Sequence, residues 1–131
     1  MSCIHEEILI EAEPDAVWQA LSDWGALDER LVPGFVIATR LDGPDRIVTF
    51  ASGAVLREVL LDCDPIARRL AWTIVDGPYT HHSACAQVFP AGPGRSRFVW
   101  IADVLPEQAA APTGAAMAEG TAIVKRHLER R

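Results

Sequence analysis

A chain of 131 residues, half of them hydrophobic and 23% charged, can bury a core without disulfide or metal staples and is too apolar to stay disordered. Its formal charge of -6 argues against the basic footprint that nucleic acid or anionic lipid would require. Cys3, Cys63 and Cys85 are odd in number and widely spaced, and no signal segment or bilayer-length apolar run is read, so the expectation is a reduced, cytoplasmic protein with no disulfide, metal, cofactor or integral membrane association.

In chain order, Cys3 to Glu11 reads as a first strand carrying Ile4, Ile8 and Ile10. Pro14 suits the first turn of a helix, where its missing N–H costs nothing, and Ala16, Val17, Ala20 and Leu21 follow at helical spacing to Ser22. Asp23 to Leu31 reads as a second short helix after a turn at Gly25, ended by Pro33-Gly34. Strands and turns then alternate: Val36 to Leu41, Arg46 to Phe50, Val55 to Asp62, Arg69 to Val75, Tyr79 to Phe89 and Arg95 to Leu105. The breaks at Gly43-Pro44, Ser52-Gly53, Cys63-Asp64-Pro65, Gly77-Pro78 and Pro90 to Gly94 are short, which favours an antiparallel meander. After a linker-like Pro106 to Pro112, Met117, Thr121, Val124 and Leu128 share one face of a C-terminal helix, with Lys125 to Arg131 as its polar end.

The order predicts an α+β fold over residues 1–131 as one domain. A curved antiparallel sheet of six or seven strands wraps a long C-terminal helix, and two short helices follow the first strand. A sheet closing on one helix leaves a hollow, and that hollow is where a small molecule would sit. Alternation turns Leu70, Trp72 and Ile74 inward, then His82, Ala84, Ala86 and Val88, then Phe98, Trp100, Ala102 and Val104. Small residues at 84, 86 and 102 leave space between the large ones. The Val55 to Asp62 strand is ambiguous: one side carries Arg57 and the other Glu58, with apolar neighbours on both. Either choice points a charge at an apolar interior, which is costly unless it is paired or used.

His81-His82 suggests metal at first sight, but adjacent strand residues face opposite ways and cannot readily chelate one ion. Trp18 and Trp24 on or after the first helix are not assigned to a face. No Ser-His-Asp signature, phosphate loop or dinucleotide fingerprint is present.

Several segments resemble one family. Leu56-Arg57-Glu58-Val59-Leu60-Leu61-Asp62 resembles a strand of the polyketide cyclase/dehydrase group within the START and Bet v 1-like (SRPBCC) superfamily. Arg69 to Pro78 resembles that group's next strand and its Gly-Pro turn, and Phe98-Val99-Trp100-Ile101-Ala102-Asp103 with Pro106 resembles the end of its last strand. Glu13-Pro14, Val17 and Trp18 are similar to its opening. The resemblance implies a helix-grip fold and resolves the tie in favour of Glu58, because the more distant plant abscisic acid receptors place the matching Glu in their pocket. It also aligns Trp72 and His82 with pocket positions of those receptors. The implied ligand is a small hydrophobic or aromatic molecule, lipid- or polyketide-like. It would be bound by Glu58, Trp72, His82, Ala84, Phe98, Trp100, Met117, Thr121 and Val124. The alternative is a polyketide cyclase or dehydratase using Glu58 and His82 as acid and base. Oligomeric state stays open, a homodimer included.

Overall fold

The computed structural model describes residues 1–130. Arg131, placed above at the polar end of the last helix, lies outside the described residues. Strand β1 (Ser2–Ile10) leads into helix α1 (Pro14–Ser22), a 3-10 turn (Trp24–Ala26) and a wide helical turn (Leu27–Leu31). Strands β2 (Val36–Asp42), β3 (Asp45–Phe50), β4 (Val55–Asp64), β5 (Arg69–Ile74), β6 (His81–Pro90) and β7 (Ser96–Leu105) follow. Helix α2 (Ala110–Leu128) closes the chain after a 3-10 turn over Glu107–Ala109.

The seven strands form one antiparallel sheet in the order β1-β7-β6-β5-β4-β3-β2. The meander from β2 to β7 therefore ends with β1 added on the far side of β7, and β1 and β2 are the two edges. Helix α2 lies across the concave face, against β1, β7 and the Leu27–Leu31 turn. This is the helix-grip fold that element order and resemblance predict.

Several local readings differ from the structure. Strand β6 begins at His81 and not at Tyr79, which belongs to the preceding turn. Cys63 and Asp64 still pair within β4, opposite Leu70 and Arg69, so the turn begins at Pro65. It closes with Arg68 in the left-handed region at φ 52° while Asp64 Oδ1 accepts from the amides of Ile66 and Ala67. Helix α2 starts at Ala110, inside the stretch read as a linker, because Pro112 falls in the first turn where no N–H is needed. On α1 the buried face is Val17, Trp18, Ala20 and Leu21, whereas Ala16 is exposed.

The core sits between α1, the Leu27–Leu31 turn, α2 and the concave face. Ile10, Val17, Val48, Leu70, Val88, Phe98, Val104 and Val124 are at most 2% exposed. Two glycines set close approaches. Gly77, at φ +73° in the β5–β6 turn, faces Leu56 so closely that a Cβ would collide with its Cδ2. Gly120 lets α2 come down on Trp100 and Phe35, since a Cβ there would lie 3.1 Å from Trp100 Cζ3.

Candidate functional site

Between the concave face and α2 lies a cavity of about 810 Å³. Its sheet wall is built by alternation: Leu56 and Glu58 from β4, Trp72 and Ile74 from β5, His82 and Ala86 from β6, and Phe98, Trp100 and Ala102 from β7. Met117 and Val124 supply the α2 wall. Phe35 and Phe50, edge to face at 5.6 Å between ring centres, close the side nearest β2 and β3. Trp72 and Trp100 stand 6.2 Å apart between ring centres, inclined at 45°. The rim carries exposed residues from the β3–β4 turn, the β5–β6 turn and α2, namely Ser52, Ala54, Pro78, Pro112 and Glu119. Above the mouth the hydroxyls of Tyr79 and Thr113 meet at 2.7 Å, joining the β5–β6 turn to the helix.

Of the predicted residues, Glu58, Trp72, His82, Phe98, Trp100, Met117 and Val124 are brought together on this one wall system. Two are not. Ala84 is buried but lies outside the lining, below Trp72, its partner across β5 and β6. Thr121 is buried too, and its hydroxyl donates to the Met117 carbonyl at 2.7 Å, a bond within its own helix that turns it away from the cavity.

Strand β4 turns Glu58 inward and Arg57 outward. Arg57 reaches Asp42 at 2.6 Å and Asp45 at 2.8 Å on the outer surface. Glu58 is nearly sealed, and its partner is Arg46, directly opposite in the β3–β4 register. Arg46 Nε and a terminal nitrogen both donate to Glu58 Oε1, at 2.9 and 2.7 Å. A third N–H goes to the Trp24 carbonyl at 3.2 Å, and the guanidinium carbon sits 3.7 Å above the centre of the Trp24 ring. Trp24 is fixed in turn by its Nε1–H, which donates to the Pro44 carbonyl. Burial pulls the Arg46 guanidinium below its ordinary value while Glu58 opposes that pull.

Arg46 is the site residue that sequence reading missed. Its strand was recognised but given no facing. Continuing the alternation of Val48 and Phe50, both inward, puts Arg46 on the same side, and that was the available signal. Trp24, unassigned from sequence, is the wall behind Arg46, and Trp18 belongs to the core.

His82 is held by backbone. The Ile74 amide donates to His82 Nδ1 at 3.0 Å, and Thr73 Oγ1 donates to the His82 carbonyl. Nδ1 is thus an acceptor, and the neutral ring carries its proton on Nε2. Burial first, and the neighbouring His81 second, bring His82 down to about 4, so the ring is neutral at physiological pH. Tyr79 covers it, ring centres 4.9 Å apart. Ile74 stands between His82 and Glu58: it is opposite Glu58 across β4 and β5, and its amide holds His82. Two strand spacings separate the two backbones by roughly 9–10 Å. Glu58 and His82 therefore face one cavity from different strands.

Among the described residues no cluster of three His, Cys, Asp or Glu could hold a metal ion, and no helix is long and apolar enough to cross a membrane. The cysteines are unbridged. A hydrogen bond with Asp103 raises Cys3 and burial raises Cys63, so neither thiol is activated.

Comparison with solved structures agrees with this fold. A protein of Bacillus cereus, XoxI, matches in fold with a TM-score of 0.88 at 19% identity over 98% of this chain and 96% of its own. The di-domain ARO/CYC BexL of the BE-7585A biosynthetic pathway matches at a TM-score of 0.85 and 14% identity, over 98% of this chain and 47% of that one. Norcoclaurine synthase of Thalictrum flavum, solved with dopamine and hydroxybenzaldehyde, matches at a TM-score of 0.69 and 24% identity, over 99% of this chain and 88% of its own. None of the curated proteins matches in sequence. The family model described as polyketide cyclase / dehydrase and lipid transport matches residues 1–130, and the chain belongs to that family.

Proposed function

We propose that this chain, acting as one domain, binds a small hydrophobic or aromatic molecule in the cavity under α2. The observation that carries the reading is the cavity itself. Its volume of about 810 Å³ is that of a ligand pocket rather than a packing defect, and its walls are mostly aromatic and aliphatic. Its few polar groups are placed by backbone and by a buried ion pair, which is how an apolar site fixes a ligand's orientation. The site residues in this reading are Glu58, Trp72, His82, Phe98, Trp100, Met117 and Val124, joined by Arg46.

The test is native mass spectrometry of the protein taken from its own host, together with a blocked variant. Ala116 lines the cavity from α2, so Ala116→Trp should fill it. The expected result is a one-to-one small-molecule adduct on the wild-type chain and none on the variant. An adduct of equal abundance on both would place binding elsewhere and overturn the reading.

A second reading, cyclisation or dehydration of a poly-β-keto chain, is favoured by one observation: a carboxylate and a neutral imidazole face the same apolar cavity. In it His82 and Glu58 move a proton beside a carbonyl. Product formation that disappears in both Glu58→Gln and His82→Phe while substrate affinity survives would establish it. Binding without turnover in the wild-type chain would leave the carrier reading alone.

A further inference from the structure

We propose that the cavity selects electrically neutral ligands bearing a hydrogen-bond acceptor, such as a ketone or ester carbonyl, and rejects carboxylates, because Arg46 and Glu58 cancel each other's charge inside it. This deepens the binding reading above and rests on it.

Among the described residues, Arg46 and Glu58 are the only charged side chains on the inner walls; Glu119 is exposed at the rim. They are 3% and 4% exposed and meet at 2.7 Å, so the pair is internally balanced. The guanidinium is further held by the Trp24 carbonyl and ring. An anionic head group entering the cavity would meet no uncompensated positive charge. It would also approach the second oxygen of Glu58, Oε2, which the Arg46 contacts do not use. Burying an unpaired carboxylate there costs several times more than burying a carbonyl.

Among the described residues Trp100 Nε1 lacks a partner but is sealed by its surroundings, so the unpaired donor left for a ligand is on His82. Its Nδ1 is occupied by the Ile74 amide, and Nε2 has no protein partner among the described residues, yet it is not one of the sealed polar atoms. An N–H that is open to an apolar cavity and bound to nothing in the protein calls for an acceptor. Trp72 and Trp100, in contact at 6.2 Å between ring centres, add two indole rings to the same wall, which suits an aromatic body attached to that acceptor.

The experiment uses three naphthalene probes on the full chain at pH 8, read by fluorescence titration: 6-propionyl-2-dimethylaminonaphthalene, 6-dimethylamino-2-naphthoate and 2-dimethylaminonaphthalene. The ketone should bind about threefold to tenfold tighter than the parent amine that lacks the carbonyl. The carboxylate should bind at least about tenfold weaker than the ketone. Glu58→Gln uncovers the Arg46 charge and should raise the carboxylate's affinity relative to the ketone by about tenfold or more. His82→Phe should remove the ketone's advantage over the parent amine. Circular dichroism of each variant reports folding, and the wild-type comparison stands by itself if a variant does not fold. If no probe binds, the binding reading fails. If the probes bind but the wild-type carboxylate equals the ketone, or folded Glu58→Gln leaves their ratio unchanged, the selectivity inference alone is overturned.

Discussion

A buried ion pair and a buried imidazole decide the character of the site. Side chains of Arg46 and Glu58 are 4% and 5% exposed, and removing one partner strands the other's charge. Arg46→Ala or Glu58→Ala should each cost about 3–5 kcal/mol in urea unfolding, whereas the double variant Arg46→Met/Glu58→Leu should cost far less than the sum. Additive losses would show that the pair is not coupled. His82 gives a pH dependence whose sign follows from its ring. The folded value is about 4 and the ordinary value 6.5, so between them the unfolded chain binds more protons and stability rises with pH. Relative to His82→Phe, the wild-type chain should lose of the order of 3 kcal/mol as the pH falls from 6.5 through 4, with the loss levelling off about one pH unit below that. Parallel stability curves for the two proteins would refute the assignment of a buried neutral imidazole. Residue facing was legible wherever one side of a strand was plainly apolar, as for Trp72, His82 and Trp100. In β4 both sides carried a charge among apolar neighbours, and pairing settled it: Arg57 has Asp42 and Asp45 outside, and Glu58 has Arg46 inside. Such a partner lies on another strand and is invisible to a one-strand reading.

Elements were easier to read than their ends. Proline and glycine punctuation located every strand, but the β4–β5 turn was placed two residues early because Cys63 and Asp64 look like turn residues and in fact still pair. A bulge between Leu60 and Asp62 shifts that register, and alternation has no signal for it. Pro112 falls at the end of the stretch that looks like a linker, although proline is permitted in the first turn of α2. The β5–β6 turn and α2 together guard the cavity mouth. Gly77→Ala forces a residue with a Cβ into φ +73° and against Leu56, and should destabilise the protein by about 1–2 kcal/mol in thermal or urea unfolding. An unchanged midpoint would mean that the turn adopts another shape. Tyr79→Phe removes one hydroxyl from the bridge to Thr113 and leaves the ring over His82 in place. Stability should fall by about 1 kcal/mol or less, while release of a bound probe in stopped-flow displacement should quicken several-fold. Equal release rates would make the bridge a structural contact only.

At the scale of the molecule, a seven-stranded sheet grips one helix, and the small residues Ala86 and Ala102 keep the space between them from filling. Gly120 holds α2 down on Trp100 and Phe35, so the helix is both lid and wall. The architecture was legible because helix-length and strand-length periods alternate in an order that few folds satisfy. The ligand's identity was not legible, because apolar walls accept many shapes. That a small molecule occupies this space is tested most directly by an NMR titration with 6-propionyl-2-dimethylaminonaphthalene, following the four indole N–H signals and the His82 ring. Signals of Trp72, Trp100 and His82 should shift together and saturate at one equivalent, while that of Trp18, which is outside the cavity lining, stays in place. Shifts confined to the outer face of the sheet around Phe89 and Arg97, or no saturable shift of the cavity signals, would contradict the account.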